Sequence, residues 1–358
     1  MERKISPLEA VSIINEVFEA ELIGDYSHAY QLLAVFWNDF RIKPDIRELP
    51  ADVLAEIYLR CGSIAGYLGR SKHLSNAQEI SRNLLTEAKE IFTQIGTEAK
   101  FAECENYLAL SFERTGDITN ARQFLESAFT TNIPINHPTR LYSHIIDSLL
   151  KIAEKNFDEI VQTSRVLESL FQQCENNIYK GCFYNHYGLA LKNTDKNDEA
   201  LDKYLTARYF FFEAGHHQYC GALENNIASL YLAERQFKEA HIFAQKAENS
   251  FKLVGDYSRQ GFTLDTRANI FLLENEPTKA LEFCDKAIKL LQNGENLNFL
   301  TEAFLTKIKI CKKLGRDGEA LEISEKAKQI VEKIDGQIEK NFVEEIDRVF
   351  LGRLAKAN

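Results

Sequence analysis

Long apolar runs are absent from the sequence. No stretch approaches the roughly 20 apolar residues that a membrane-spanning helix needs. Residues 1–21, MERKISPLEAVSIINEVFEAE, mix charged with apolar side chains, whereas a secretory signal carries an uninterrupted apolar segment. We therefore expect a cytoplasmic protein that has no membrane partner.

Paired cysteines are also missing. The seven cysteines are odd in number, lie far apart and include no C-x-x-C pair: Cys61, Cys104, Cys174, Cys182, Cys220, Cys284 and Cys311. This pattern fits a reducing compartment better than a disulfide framework, and we expect most of these cysteines to act as small buried apolar residues.

Metal-ligand residue types come close together in two places. Cys182 and His186 are one helical turn apart, and the second group contains His216, His217, Cys220 and Glu224. Neither group repeats the paired spacing that zinc sites use. We expect no metal and no cofactor, and we expect His216 and His217 to follow Gly215 in a solvated loop.

Basic blocks and catalytic motifs are absent as well. The chain has 53 acidic and 43 basic residues, a net charge of -10, and no long Lys/Arg run. Because nucleic-acid affinity comes largely from neutralised phosphates, we expect no nucleic-acid partner for this chain. The sequence also contains no glycine-rich phosphate loop, nucleophile elbow or kinase signature, so we expect no enzyme.

The sequence does contain a period of forty residues. Two series of alanines repeat with this spacing: Ala200, Ala240, Ala280 and Ala320, and seven residues later Ala207, Ala247, Ala287 and Ala327. Small residues at fixed positions let neighbouring helices pack closely. A period of this length is typical of helical solenoids, in which each repeat contacts only its neighbours.

Each repeat is predicted to be a helix, a turn and a helix. Short polar segments, NTDKND, AERQ, ENEPT and LGRDG, separate the helical runs, and Pro277 and Gly315 lie where a helix must start or stop. Residues 141–171 fit the length but carry Ile160 in place of the alanine. Two earlier units share the pattern through Ala109, Gly116, Asp117, Ala121 and Ala128, and through Gly24, Asp25, Tyr26 and Ala29.

These motifs resemble the tetratricopeptide repeat family, especially its variant of about forty residues found in bacterial peptide-sensing receptors. The resemblance covers nearly the whole chain. It is carried by Gly188 with Ala200 and Ala207, by Ala228 with Tyr231, Ala240 and Ala247, by Ala268 with Ala280 and Ala287, and by Ala109 with Gly116, Ala121 and Ala128. The tryptophan that the family favours in the first helix is absent. The resemblance implies an all-α, right-handed α-solenoid of stacked helix-turn-helix repeats that binds proteins or peptides.

Three segments are predicted along the chain. Residues 1–50 form an N-terminal helix pair and an extended connection, residues 51–335 form the solenoid, and residues 336–358 form a C-terminal capping helix. In the last segment Phe342, Ile346, Phe350 and Leu354 share one stripe. A cap is expected because the last repeat of a solenoid exposes its core face. Packing on a partner, or on another copy in a homodimer, is the alternative.

A ladder of polar residues is predicted to line a concave groove formed by the first helix of each repeat. Its candidate residues are Asn106, Asn185, Lys192, Asn225, Ser229, Asp265, Asn269 and Lys309. Asn185, Asn225 and Asp265 are forty residues apart. An asparagine offers both the donor and the acceptor that an extended peptide backbone requires. Alternatively, these side chains bond to one another and hold the repeats in register.

Three functions fit this sequence. The favoured function is a non-enzymatic scaffold that holds a peptide or a partner helix in the groove. The second is a peptide-responsive sensor that controls a transcription or signalling partner, and the third is a phosphatase-type regulator of a response regulator. Loss of binding without loss of stability after alanine replacement of Asn185 and Asn225 would favour a ligand role for the ladder.

Overall fold

The computed structural model describes residues 5–40, 42–44, 46, 49–72, 74, 76–293, 296–331, 344–346 and 348–349. These residues form sixteen α-helices and no β-strand, as expected for an all-α fold. The helices are α1 Pro7–Leu22, α2 Tyr26–Leu33, α3 Ala51–Lys72, α4 Ala77–Gln94, α5 Glu98–Arg114, α6 Ile118–Phe129, α7 Pro138–Ala153, α8 Phe157–Gln173, α9 Asn177–Asn193, α10 Asn197–Glu213, α11 His217–Ala233, α12 Phe237–Val254, α13 Tyr257–Leu273, α14 Pro277–Leu291, α15 Leu297–Lys313 and α16 Asp317–Val331.

Consecutive helices pack as pairs, which confirms the predicted helix-turn-helix repeats. Close pairs include α5 with α6, α9 with α10, α13 with α14 and α15 with α16. The first helices of neighbouring repeats also touch, since α7 contacts α5 and α9, and α13 contacts α15. In this way α5, α7 and α9 form one layer, and α13 lies beside α15. Polar residues at equivalent positions of adjacent first helices therefore come to lie near one another.

The two alanine series mark the closest helix contacts. All eight alanines of the series are completely buried. Gly188 shows how tight the contact is, because a Cβ at this position would come 2.7 Å from the Tyr204 ring and 3.1 Å from the Ala200 carbonyl oxygen. In the repeat of α7 and α8, Ile160 is 1% exposed, so this bulkier residue fills the same interior position.

One turn conformation recurs between the two helices of each repeat. Gly116, Lys155, Asp195, Arg235, Asn275 and Gly315 all have φ between 58° and 81°. These residues are about forty apart, so each occupies the same left-handed position. That conformation favours glycine because it has no Cβ, yet four of the six positions carry other residues.

The chain divides into two compact units. Unit 1 consists of Met1–Arg70, Leu74–Arg114 and Ile118–Tyr219, and unit 2 of Ser71–His73, Thr115–Asp117 and Cys220–Asn358. In unit 1, α1 and α2 share one core with α3, α4 and α5, in which Trp37 is 1% exposed. The predicted division at residues 50 and 335 stays a prediction.

The predicted capping helix lies mostly outside the described residues. Within the described part, Ile346 is 1% exposed and packs against Leu305, Ile308 and Ala327 of the last helix pair. Val349 packs against the same cluster. These two residues therefore contact the last helix pair, and the capping role of residues 336–358 stays a prediction.

Candidate ligand-binding surface

The predicted ladder residues of unit 1 lie on α5 and α9. Asn106 is completely buried, and its Nδ2 donates to the Thr139 carbonyl oxygen at 3.2 Å. Its Oδ1 is buried and has no hydrogen-bond partner. Asn185 and Lys192 are half-buried on α9, and burial lowers the pKa of Lys192 to about 8. The ligand role of these three residues stays a prediction.

The ladder residues of unit 2 lie on α11, α13 and α15. Asn225 is 3% exposed, and its Oδ1 is buried without a hydrogen-bond partner. Ser229 is half-buried one turn further along α11. Lys309 pairs with Glu345, with its Nζ 3.2 Å from Oε1. Their ligand role, like that of Asp265 and Asn269, is not established by these contacts.

Asp265 is the centre of a buried polar cluster between α13 and α15. Its side chain is 5% exposed. The Asn269 Nδ2 donates to Asp265 Oδ2 at 3.1 Å and to Thr306 Oγ1 at 3.1 Å, whereas Asp265 Oδ1 is buried without a partner. Burial raises the pKa of Asp265 to about 7, although hydrogen bonds with Thr306 and Asn269 oppose the rise. The carboxyl is therefore partly protonated near neutral pH.

A cluster of six tyrosines in unit 1 is not among the predicted site residues. We refer to Tyr26, Tyr67, Tyr107, Tyr142, Tyr179 and Tyr219 as the tyrosine cluster. Five of them lie on the first helices α3, α5, α7, α9 and α11, and the sixth lies at the start of α2. The signal in the sequence was at least one tyrosine on each of these successive first helices.

The rings of the tyrosine cluster interact with one another. Tyr142 stacks on Tyr179 with ring centroids 5.3 Å apart, and it lies 5.8 Å from Tyr107. Tyr26 stacks on Tyr67 at 3.3 Å. Burial and the neighbouring Tyr219 hydroxyl raise the pKa of Tyr26. Each of the six residues is half-buried, so part of each side chain remains accessible to solvent.

A buried charge network borders the tyrosine cluster. Arg60 is 2% exposed; its Nη1 lies 2.9 Å from Glu21 Oε2, and its Nη2 pairs with Glu103. Burial raises the pKa of Glu21. Burial also acts to raise the pKa of Glu103, but Arg60 and Lys100 hold that pKa below its usual range. The network joins α1, α3 and α5 beside Tyr107.

His216 corrects the expectation of a solvated loop. It is 1% exposed, stacks on Tyr219 with centroids 3.9 Å apart, and accepts a hydrogen bond from the Tyr219 backbone N–H. A Cβ at Gly24 would come within 2.9 Å of three atoms of the His216 ring. Unit 1 therefore closes on itself, because the turn after α1 meets the turn before α11. His217 is exposed, as expected, but it is the first residue of α11 and not part of a loop.

His186, from the first group of possible metal ligands in the sequence, contacts a serine instead. The His186 Nδ1 lies 2.7 Å from Ser148 Oγ, and burial lowers the pKa of His186 to about 4. No group of three or more His, Cys, Asp or Glu side chains arranged to hold a metal occurs among the described residues. In the same part of the chain, no helix is long and apolar enough to cross a membrane.

Comparison with known proteins identifies the fold. No family model and no curated protein matches the sequence. A solved Rap protein complexed with competence and sporulation factor is similar over 95% of this chain and 100% of its own, with 13% identity and a TM-score of 0.61. Aspartyl phosphate phosphatase F from Bacillus subtilis is similar over 92% of this chain and 96% of its own, with 12% identity and a TM-score of 0.55.

The fold is a tetratricopeptide-repeat solenoid. The paired helices, the forty-residue period and these two similar structures agree, so the resemblance seen in the sequence is confirmed at the level of the fold. A tetratricopeptide-repeat solenoid specifies an architecture, whereas a function depends on the residues of the site.

Proposed function

We propose that the protein is a non-enzymatic regulator that binds a protein or a peptide through residues of its first helices. The tyrosine cluster is the observation that carries this proposal. A tyrosine that only packs in the core is buried like Tyr204, which is 0% exposed, whereas the six clustered rings remain half-buried. Tyrosine suits binding surfaces because its ring is large and rigid and its hydroxyl forms hydrogen bonds.

The ladder residues support the proposal with unused acceptors. Asn106, Asn225 and Asp265 occupy equivalent positions, and each has a buried Oδ1 without a hydrogen-bond partner. Buried polar atoms are normally paired, and an unpaired one costs about 1–3 kcal/mol. The backbone N–H groups of an extended peptide are donors that match such oxygens.

The similar structures favour a regulatory role for the bound partner. The Rap protein in the comparison is complexed with competence and sporulation factor, and the other protein is an aspartyl phosphate phosphatase. The similarity to the Rap protein favours a peptide-responsive sensor. The similarity to the aspartyl phosphate phosphatase makes a phosphatase-type regulator of a response regulator the second candidate function. The odd number and wide spacing of the cysteines favour a cytoplasmic location, and a homodimer stays a prediction.

Affinity capture from the native cell tests the binding proposal. The Tyr142→Phe, Tyr179→Phe double variant keeps the stacked rings but loses two hydroxyls, and each lost hydrogen bond costs about 1 kcal/mol. We expect about tenfold or greater loss of captured partner with little change in the thermal unfolding midpoint. Tyr209→Ala is the matched control, because Tyr209 lies on α10, is 60% exposed and is outside the cluster. Equal capture by the double variant and the wild type would contradict the proposal.

Phosphate release tests the second candidate function. A phosphorylated response regulator is incubated with the protein, and the rate of phosphate release is compared with that of the response regulator alone. Faster release in proportion to the protein concentration would support the phosphatase-type regulator. An unchanged rate across response regulators from the same cell would exclude it and leave the binding proposal intact.

A further inference from the structure

One side of α1 carries an apolar stripe that the fold does not bury. Three other residues of this helix face the core of unit 1: Ala10, Ile14 and Val17. Leu8, Val11 and Phe18 are all exposed, and their spacing of three and seven residues places them together on another side of α1. Solvent-facing positions of a surface helix are normally polar. Packing within unit 1 therefore does not account for this stripe.

A groove with a volume of about 410 Å³ lies beside the stripe. Its lining from α1 includes Val11 and Phe18, and further lining comes from the start of α3 and from the end of α4 with the turn that follows it. The buried lining residues are apolar except for Arg60: Ile14, Val53 and Phe92. A volume of this size is within the range of ligand-binding clefts. The groove and the stripe therefore form one accessible apolar surface.

The groove is already formed in the unliganded protein. The Ser6 hydroxyl caps α1 by accepting a hydrogen bond from the Glu9 backbone N–H at 3.2 Å, and Pro7 occupies the first turn. The ion pair between Glu21 and Arg60 joins α1 to α3. A partner that binds here does not have to order α1, and a preformed surface loses less conformational entropy on binding.

The groove fits a helix better than an extended chain. Its lining comes from helices and one turn, so it offers no strand edge whose backbone groups could pair with an extended peptide. A helix satisfies its own backbone and buries apolar side chains at i, i+3, i+4 and i+7. Asn15 lies between Val11 and Phe18 on the same side of α1, so Leu8, Val11, Asn15 and Phe18 have the three-four-three spacing of a coiled-coil seam.

The charges around the groove favour a basic partner. Arg60 and Lys100 line the groove, but each already pairs with at least two carboxylates. Asp52, in the lining, and Glu19, next to Phe18, are exposed, and neither pairs with a cation in the part of the chain that the structure describes. A second copy of α1 is disfavoured, because Pro7–Leu22 contains four glutamates and no Lys, Arg or His.

We propose that this groove docks an amphipathic helix of a partner protein. The apolar side of that helix covers Val11 and Phe18, and its basic flank pairs with Asp52 and Glu19. The surface shares no residue with the tyrosine cluster, so this inference goes beyond the proposed function and does not depend on it.

Fluorescence anisotropy with three designed helical peptides tests the groove. The first peptide carries leucines at the spacing of a coiled-coil seam and lysines on both flanks of that seam. The second has glutamates in place of the lysines, and the third keeps the lysines but has glutamines in place of the leucines. Each labelled peptide, kept below the concentration at which it self-associates, is titrated with the full-length protein at low and at high salt.

We expect the first peptide to bind at least about tenfold more tightly than the other two at low salt, and its affinity to fall at high salt. Phe18→Ser should weaken this binding about tenfold, and Asp52→Lys by about threefold or more. Val11→Ser is a second groove variant, and circular dichroism checks that each variant is folded. Ile242→Ser and Glu322→Lys change exposed residues of α12 and α16; these matched controls should bind as the wild type does.

Several results would overturn the docking proposal. No binding of the first peptide, or equal binding of the lysine and glutamate peptides, would refute a basic helical partner. Equal binding of the first and third peptides would show only attraction to the net charge of -10. Unchanged affinity in the folded Phe18→Ser, Val11→Ser and Asp52→Lys variants would refute the groove as the site. A dimer in sedimentation analysis that Phe18→Ser dissociates would show that a second copy occupies the groove instead.

Discussion

Replacing Asp265 by asparagine should change how stability depends on pH. The unfolded chain ionises this carboxyl near pH 3.8, whereas the folded protein ionises it near pH 7. Between these values the folded state holds a proton that the unfolded state releases. Raising the pH therefore favours the unfolded state, and the wild type loses stability from about pH 4 to pH 7 because of this group.

The structure sets the size of the effect. A rise in pKa of about three units corresponds to about 4 kcal/mol between low pH and pH 8. Asparagine has nearly the same shape and does not ionise, so the Asp265→Asn variant avoids this loss. The two proteins should have similar stability at pH 4.5, and the variant should be more stable by about 2–4 kcal/mol at pH 8.

Urea unfolding followed by far-ultraviolet circular dichroism measures this difference. Midpoints are compared for the wild type, Asp265→Asn and the exposed-site control Glu322→Gln at half-unit steps from pH 4.5 to pH 8.5. The difference between wild type and Asp265→Asn should grow with pH and level off above pH 7. Parallel curves for these two proteins would refute the reasoning that burial destabilises the ionised carboxyl.

Three further predictions concern stability and are measured by the same urea titration. Gly188→Ala should lower the free energy of unfolding by about 1–3 kcal/mol because the added Cβ would meet Tyr204. Gly318→Ala is the control, since a Cβ at Gly318 would have open space around it. An equal loss in both variants would contradict the prediction. Arg235→Gly should raise the free energy of unfolding by about 0.5–1 kcal/mol, because Arg235 has φ 58°, a left-handed conformation that glycine adopts without strain. A fall in the free energy of unfolding would show that the contacts of the arginine side chain outweigh this backbone strain. Arg60→Met should lower the free energy of unfolding by about 3–5 kcal/mol, because it leaves Glu21 and Glu103 buried without their cation. A loss below about 1 kcal/mol would contradict the inference that Arg60 neutralises these buried carboxylates.

The fold was predictable because it depends on a local and repeated pattern. Each alanine of the two series contacts a helix that lies nearby in the sequence, so its burial follows from the period. The turns at Pro277 and Gly315 follow from backbone restrictions of single residues, and both were found at helix boundaries. These signals indicate the repeats even though none of the helices carries the tryptophan that the family favours.

The missed features depend on residues far apart in the sequence. His216 is buried because its ring lies against Gly24, and nothing in the local sequence GHHQYC indicates that contact. The tyrosine cluster had a weaker signal in the sequence, because α3, α9 and α11 each carry further tyrosines that do not belong to it. The spacing of the clustered tyrosines is less regular than that of the alanines, because they occupy different positions within α5, α7 and α9, although these helices begin at nearly equal intervals.

The contact between Gly24 and His216 has a consequence for folding kinetics. Most contacts of a solenoid join neighbouring repeats, so folding can begin at any repeat and spread by short-range steps. This contact instead joins residues separated by most of unit 1, and loops of that length form slowly because their closure costs entropy. Unit 1 should therefore complete folding only after its intermediate repeats are assembled, and its last step should be the closure of its two ends.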